Sequence, residues 1–211
     1  MGKERIKKIV KTSYIDNQEG FSYTFEPIED SIKIKKTKEG YEALYLAYDT
    51  DPICPDEDAD DNLFLVAYHR DFDVHRDKVI SKDLAVDIFK DEDTEEVKEF
   101  KKKYWCFGLE AYIHSGVRLA FSQQGNFPDR RWDVSQIGLV CVAREEWKEE
   151  DKAEKAAKSY IEYWNQYLSG DVYITVKETY NKEKEQCDYD YICGYYGYKD
   201  TVKELHAGGI F

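Results

Sequence analysis

No stretch of this 211-residue chain is apolar for the roughly 18 positions that a membrane-crossing helix needs, and no charged–apolar–small leader is evident. The expectation is a soluble protein of the cytoplasm with no membrane contact. Cysteine is scarce and scattered: Cys54, Cys106, Cys141, Cys187 and Cys193 are odd in number, and none stands in a C-x-x-C arrangement. That spacing indicates neither a zinc ribbon nor a disulfide framework, so reduced thiols are expected. H-E-x-x-H, G-x-S-x-G, the P-loop and G-x-G-x-x-G are all absent, which removes the best-marked signatures of zinc proteases, α/β-hydrolases, NTPases and dinucleotide enzymes. Positive charge is in deficit. The chain carries a net −13, distributed as +3 over residues 1–38 and −16 over the remainder. A body that acidic repels phosphate backbones and suits either a basic partner or plain solubility.

What the chain does contain is enough apolar material for a core: 42% hydrophobic and 15% aromatic, with 18 tyrosines suited to half-buried sheets. The first forty residues read as strands and turns, with Phe21, Tyr23 and Phe25 alternating and Ile32 and Ile34 following. Tyr41–Tyr48 and Leu63–His69 read as core strands. Ser81 is placed to cap a helix over Lys82–Phe89, and Asp93 or Thr94 to cap another through Phe100. Two apolar segments, Tyr104–Ile113 and Val117–Ser122, flank the hairpin signal His114-Ser-Gly116, and Ile137–Ala143 is a further strand. Residues 151–168 carry the clearest helical periodicity, with Gly170 as terminator. Asp171–Tyr180 and Gln186–Tyr196 then read as a strand pair, and Thr201–His206 as a last helical turn. The expected fold class is α+β, a largely antiparallel sheet with two or three helices packed on it. The expected organisation is a basic β-rich N-terminal extension over 1–40 and a main domain over 41–211.

The densest chemistry lies in Asp49-Thr-Asp-Pro-Ile-Cys-Pro-Asp-Glu-Asp-Ala-Asp-Asp61, which sets seven carboxylates and no cation in thirteen residues between two strands. Like charges so close repel unless a cation, a basic partner or water neutralises them. Asp49, Asp51, Asp56, Glu57, Asp58, Asp60 and Asp61 are therefore candidates for binding a basic partner. Asp49, Asp51, Asp58 and Asp60 are candidates for holding Ca²⁺ or Mg²⁺, hard cations that take several oxygens. The EF-hand glycine and distal glutamate are missing. Pro52 and Pro55 stiffen the segment.

Other candidates are each opposed by a structural role. His69, His114 and Asp133 stand at ends of strands and could meet as a metal site or an acid–base pair; turn residues satisfied by backbone explain them equally. His75 lies in a charged stretch and His206 near the end of the chain. Trp132 is expected to be buried at the start of a strand, with Asp133 and Ser135 bonding local backbone. Asp129-Arg130-Arg131 is expected to be an exposed turn whose arginines could neutralise the acidic loop. Lys3, Arg5, Lys7, Lys8 and Lys11, with Lys33, Lys35, Lys36 and Lys38, could contact phosphate, with Tyr14, Phe21, Tyr23 and Phe25 available for stacking.

The order of these pieces resembles a family of small bacteriophage and mobile-element accessory proteins, over about Tyr45 to Leu205. The pieces are Asp49-x-Asp…Pro55-x-x-x-x-Asp-Asp-Asn62, His69-Arg70, His114-Ser-Gly116, Trp132-Asp-x-Ser-Gln-Ile-Gly138, Tyr167-Leu-x-Gly-Asp-Val-Tyr173 and Cys193-Gly-Tyr-Tyr-Gly197. This loop is more acidic than the family's D-x-D…S-P-R-E-x-D-N and lacks its arginine. The resemblance implies expression in the cytoplasm of an infected bacterium and, without an established catalytic activity, interference with host defence. The leading expectation is then a non-enzymatic inhibitor that binds a CRISPR nuclease or restriction enzyme through its acidic surface. A small metal-dependent enzyme or nucleotide-signal binder built on His69, His114 and Asp133 is one alternative. DNA binding through the basic N-terminal segment is another.

Overall fold

The computed structural model describes residues 2–10, 15–16, 22–23, 25–57, 59–128 and 130–207. The chain divides into two compact units, one formed by 1–52 with 170–211 and the other by 53–169. The fold class is α+β. Where one sheet was expected there are two larger antiparallel ones, and six α-helices stand among the described residues.

In the first unit, helix α1 (Gly2–Val10) and the short pair β1 (Ile15–Asp16) and β2 (Ser22–Tyr23) precede β3 (Lys33–Lys36) and β4 (Gly40–Tyr48). After the second unit the chain returns as β10 (Val172–Asn181), β11 (Gln186–Tyr196) and α6 (Tyr198–Ala207). The sheet order is β11-β10-β4-β3. Residue 40, expected as a domain boundary, is the first residue of β4, whose Leu44 to Tyr41 pair with Lys33 to Lys36 of β3. The reading of the first forty residues as strands and turns is corrected over Gly2–Val10, which is helical, while residues 11–14 lie outside the described ones. Ile6 and Val10, one helical turn apart, are fully buried against Ala43, Tyr45, Ala47, Ile174, Val176 and Tyr180. An i, i+4 apolar pair with lysines between it is a helical stripe, and the lysines had obscured it. Buried Glu178 accepts from Tyr45 Oη at 3.1 Å and from Tyr180 Oη, so polar groups lie satisfied within this core.

The second unit opens with β5 (Leu63–His69) and β6 (Phe72–Val74), followed by α2 (Lys82–Phe89) and α3 (Glu95–Lys103). Next come β7 (Tyr104–Ile113), β8 (Val117–Phe121), the single turn α4 (Arg130–Asp133), β9 (Val134–Ala143) and α5 (Glu150–Ser169). The sheet order β6-β5-β9-β7-β8 puts β9 at the centre. Both faces are covered, which is why β5 and β9 read as continuous apolar runs. Leu65, Ala67, Val140 and Val142 pack toward Ala153, Ala157, Ile161 and Trp164 of α5. Phe64, Val66, Leu139 and Cys141 pack toward Leu84, Ile88, Val97 and Phe100 of α2 and α3.

Local signals start and stop these elements. Ser81 Oγ accepts from Leu84 N and Thr94 Oγ1 from Val97 N, each at 3.2 Å, capping α2 and α3 as expected. Gly170, at φ +71°, follows the last residue of α5 in the left-handed region where glycine carries no Cβ penalty. The edge strand β8 is blunted by Asn165 of α5. Its side-chain amide bonds Leu119 N at 2.8 Å and Leu119 O at 3.0 Å, standing in for a neighbouring strand.

Candidate binding surface

The boundary between the units falls within the acidic segment. Asp49 and Asp51 belong to the first unit and residues 56–61 to the second. Asp49 is half-buried, its N–H bonding Val172 O at 2.9 Å, and its Oδ1 accepts from Asp51 N at 3.1 Å in a local turn. Asp51 is exposed. Asp58 lies outside the described residues, so the candidate cation set Asp49, Asp51, Asp58 and Asp60 is only partly placed.

Residues Asp56, Ala59 and Asp61 are tied together by one cation, Arg76, which follows β6. Its guanidinium donates to Asp56 O and Ala59 O, both at 2.9 Å, and to Asp56 Oδ1 at 3.1 Å. Asp61 Oδ1 lies 3.8 Å away, and the Phe64 ring lies beneath at 6.0 Å. The Arg76 side chain is only 17% exposed. A planar fork with five donors suits this task, because it can reach two carbonyls and a carboxylate together. From the other side, Cys54 and Ala59 pack against the α5 cluster, Pro55 is buried, and Tyr160 Oη points to Pro55 O at 3.5 Å. Burial raises the Tyr160 hydroxyl to about 12, so it stays a donor.

Asp60 closes the segment. Its Oδ1 accepts from Asn62 N at 2.8 Å and Leu63 N at 3.3 Å, and its Oδ2 from Asn62 Nδ2 at 3.0 Å. The Asn62 backbone bond is the largest cause holding its carboxyl below the ordinary range. This turn delivers the chain into β5. Glu57, Asp60 and Asp61 face solvent, and Arg76 is the sole cation paired with the loop among the described residues.

Arg130 and Arg131, expected to neutralise this loop, do other work. Arg130 forks onto Glu110 of β7, with Nη1 to Oε1 at 2.9 Å and Nη2 to Oε2 at 2.7 Å. Glu110, only 1% exposed, also accepts from Gln123 N at 2.8 Å and Gly125 N at 3.0 Å. Burial pushes its carboxyl upward, but the Arg130 bond and the two amides outweigh that and hold it below the ordinary range. Arg131 instead lies over the Trp132 ring at 5.5 Å. Trp132 is 79% exposed, contrary to the expectation of a buried anchor, because it sits in α4, before β9 enters the sheet. Only from Ile137 onward do β9 side chains reach the core.

Of the three residues proposed to meet, two do. His114, at the β7–β8 turn, places Nδ1 3.6 Å from Asp133 Oδ2. His69 is engaged elsewhere, its Nδ1 accepting from Asp71 N at 3.2 Å. His75 Nε2 and Asp73 Oδ2 are 2.6 Å apart. No group of three or more His, Cys, Asp or Glu is arranged to hold a metal ion among the described residues. A cavity of about 170 Å³ opens beside α2, lined by Tyr68, Lys82, Ala85, Val86, Phe89, Gln136, Ile137 and Gly138. Tyr68 Oη is buried there without a partner.

On α1, Lys3 and Lys8 are exposed and Lys7 half-buried; Lys11 and the Arg5 side chain lie outside the described residues. Of the aromatic residues offered for stacking, Tyr14 and Phe21 lie outside them too, as does the Tyr23 side chain. Phe25 is half-buried and packs on Tyr191 at 5.6 Å.

The residue that sequence reasoning missed is Arg76. Its signal was available: an arginine fifteen residues past the densest acidic run, in a turn after a strand that returns along β5. No protein-family model matches the chain, and neither a curated protein nor a solved structure matches it. Among the described residues, no helix is long and apolar enough to cross a membrane.

Proposed function

We propose that this chain is a non-enzymatic binding protein of bacteriophage or mobile-element origin. It occupies the basic nucleic-acid channel of a host defence enzyme, a CRISPR nuclease or a restriction enzyme, in the bacterial cytoplasm. The observation that carries the reading is the loop built around Arg76, which holds Glu57, Asp60 and Asp61 toward solvent with one cation set beneath them. Such a surface enters binding already ordered, which lowers the entropy lost on association. The second unit that carries it has 26 Asp/Glu against 17 Lys/Arg, so the surrounding field adds to the local one. Charge of this kind speeds encounter with a basic groove and rejects anionic competitors.

Titration of the purified protein into DNA-cleavage assays of host defence nucleases tests this reading. Inhibition is expected, weakening as salt rises through the range where the Debye length shortens. A Glu57→Lys/Asp61→Lys chain spares the Asp60 turn and the Asp56 contact, and it should inhibit at least about tenfold less well. Equal potency of that variant, or no inhibition across the panel, would falsify the proposal.

A second reading rests on α1, whose Lys3 and Lys8 are exposed while Ile6 and Val10 are buried. Phosphate contact through that face predicts DNA binding with a steep salt dependence. Because Ile6 and Val10 belong to the core, Lys3→Glu/Lys8→Glu is a cleaner test than deletion. DNA affinity unchanged by it sets that reading aside.

A further inference from the structure

Two of the five cysteines face one another at the centre of the second unit. Cys106 of β7 and Cys141 of β9 are direct register partners, with the pairing unbroken from Tyr104↔Ala143 to Leu109↔Gly138. Arg144 N donates to Lys103 O at 2.8 Å, so the 103/144 position is a hydrogen-bonded one. Bonded and non-bonded pairs alternate along an antiparallel ladder, which makes 106/141 a non-hydrogen-bonded pair. Ala143 N donating to Asn62 O at 2.7 Å agrees, since in that register the backbone bonds of Cys141 turn to Phe64 of β5. Non-hydrogen-bonded partners stand about 4.5 Å apart at Cα with their side chains on the same face. That separation lies within the range a disulfide spans without backbone movement, about 4.4–6.8 Å. Both side chains belong to the face covered by α2 and α3.

The surroundings divide the roles. Cys141 is fully buried, whereas Cys106 is partly open to solvent. The Cys106 thiol lies below its ordinary range, first through its hydrogen bond with Cys141 and, against the opposing effect of burial, through the charges of Lys101 and Arg144. Cys141 is pushed well up by the same bond and by burial. Arg144 is held in place over the Trp105 ring at 3.3 Å and by Nε donating to Tyr104 O at 3.4 Å.

We propose that Cys106 and Cys141 form a redox-active dithiol that hydroperoxides convert to a cross-strand disulfide. The Cys106 thiolate attacks one peroxide oxygen and the O–O bond breaks. Cys106 becomes a sulfenic acid and the other oxygen leaves, with a proton, as water or an alcohol. The Cys141 sulfur then attacks the Cys106 sulfur, the S–O bond breaks, and that oxygen leaves as water with the Cys141 proton. Two thiols are oxidised by two electrons and one peroxide is reduced. Being already in register, Cys141 intercepts the sulfenic acid before a second peroxide reaches it.

The test treats the full-length protein with graded hydrogen peroxide and maps its cysteine peptides by mass spectrometry without reduction. A Cys106–Cys141 linked peptide is expected, lighter by two hydrogens than the separate peptides and reversed by dithiothreitol. It should accumulate at peroxide doses that leave most of Cys187 and Cys193, both exposed, as thiols. A Cys141→Ala chain should carry Cys106 forward to sulfinic acid instead, and a Cys106→Ala chain should leave Cys141 unmodified. The proposal is overturned if both cysteines stay reduced at doses that consume Cys187 and Cys193. It is equally overturned if wild-type Cys106 reaches sulfinic acid with no linked peptide.

Discussion

Replacing Arg76 by methionine tests whether the acidic loop is a built surface. Methionine keeps the apolar stem over Phe64 and removes three hydrogen bonds: those to Asp56 O and Ala59 O at 2.9 Å and the one from Nε to Asp56 Oδ1 at 3.1 Å. A hydrogen bond to a charged group contributes about 1.5–3 kcal/mol when its partner stays buried. Asp56 is 29% exposed and turns to water once freed, so the bonds to its carboxylate count for little. The two carbonyls dominate, and partial rehydration brings the sum to about 3 kcal/mol. For a unit of this size that corresponds to roughly 10 °C in Tm. All four tryptophans (Trp105, Trp132, Trp147 and Trp164) lie in the second unit, so urea unfolding followed by tryptophan fluorescence reports that unit selectively. Asp56→Asn is the control. It keeps both carbonyl bonds and a neutral acceptor, and should cost about 1 kcal/mol. The reasoning fails if Arg76→Met changes stability no more than Asp56→Asn does. In that case the backbone bonds from Arg76 do not hold the loop, and Arg76 does not preorganise its carboxylates.

Three further outcomes are expected. Glu110 has a folded pKa below its unfolded value, so the stability it contributes is fully present above about pH 4.3 and is lost as pH falls through the folded pKa. Melting curves from neutral to acid pH should show that loss in the wild type and a flatter acid limb in Glu110→Gln; superimposable acid limbs would contradict it. Tyr68→Phe removes a buried hydroxyl that has no partner and should stabilise the second unit by about 1 kcal/mol in urea unfolding, whereas a destabilised variant would mean the hydroxyl is satisfied. Ca²⁺, Mg²⁺ or Mn²⁺ should leave the melting temperature flat, because Asp56 is committed to Arg76 and Asp60 to Asn62 and Leu63; a saturable rise would restore a cation to the loop.

Legibility followed the range of the interactions. Ser81, Thr94 and Gly170 marked helix ends correctly because caps and terminators act within three or four residues. The α5 stripe and the β10–β11 pair were readable from periodicity over ten or more residues. Helix α1 was misread because a basic, nine-residue segment carries few apolar positions, and its two described buried ones mattered only once β4 and β10 stood beneath them. Trp132 was misread for a related reason: an aromatic at the start of a strand is buried only if the sheet extends that far, and here the core begins at Ile137. His114 and Asp133 stand together, as their positions at element ends allowed, but the third candidate, His69, bonds the backbone two residues away.

The sequence by itself determined the α+β class, the excess of negative charge and the concentration of carboxylates between β4 and β5, since all three are properties of composition and local order. Tertiary structure decided which charges are neutralised and which remain. Arg76 reaches the loop rather than Arg130 because β6 returns alongside β5 and sets its turn against Asp56 and Ala59, while Arg130 meets a buried glutamate on β7. It also decided that Cys106 and Cys141, separated by 34 intervening residues, stand side by side. Charge–charge and thiol–thiol energies depend on separations of a few ångströms. Strand order sets those separations, and no local pattern in the chain encodes it.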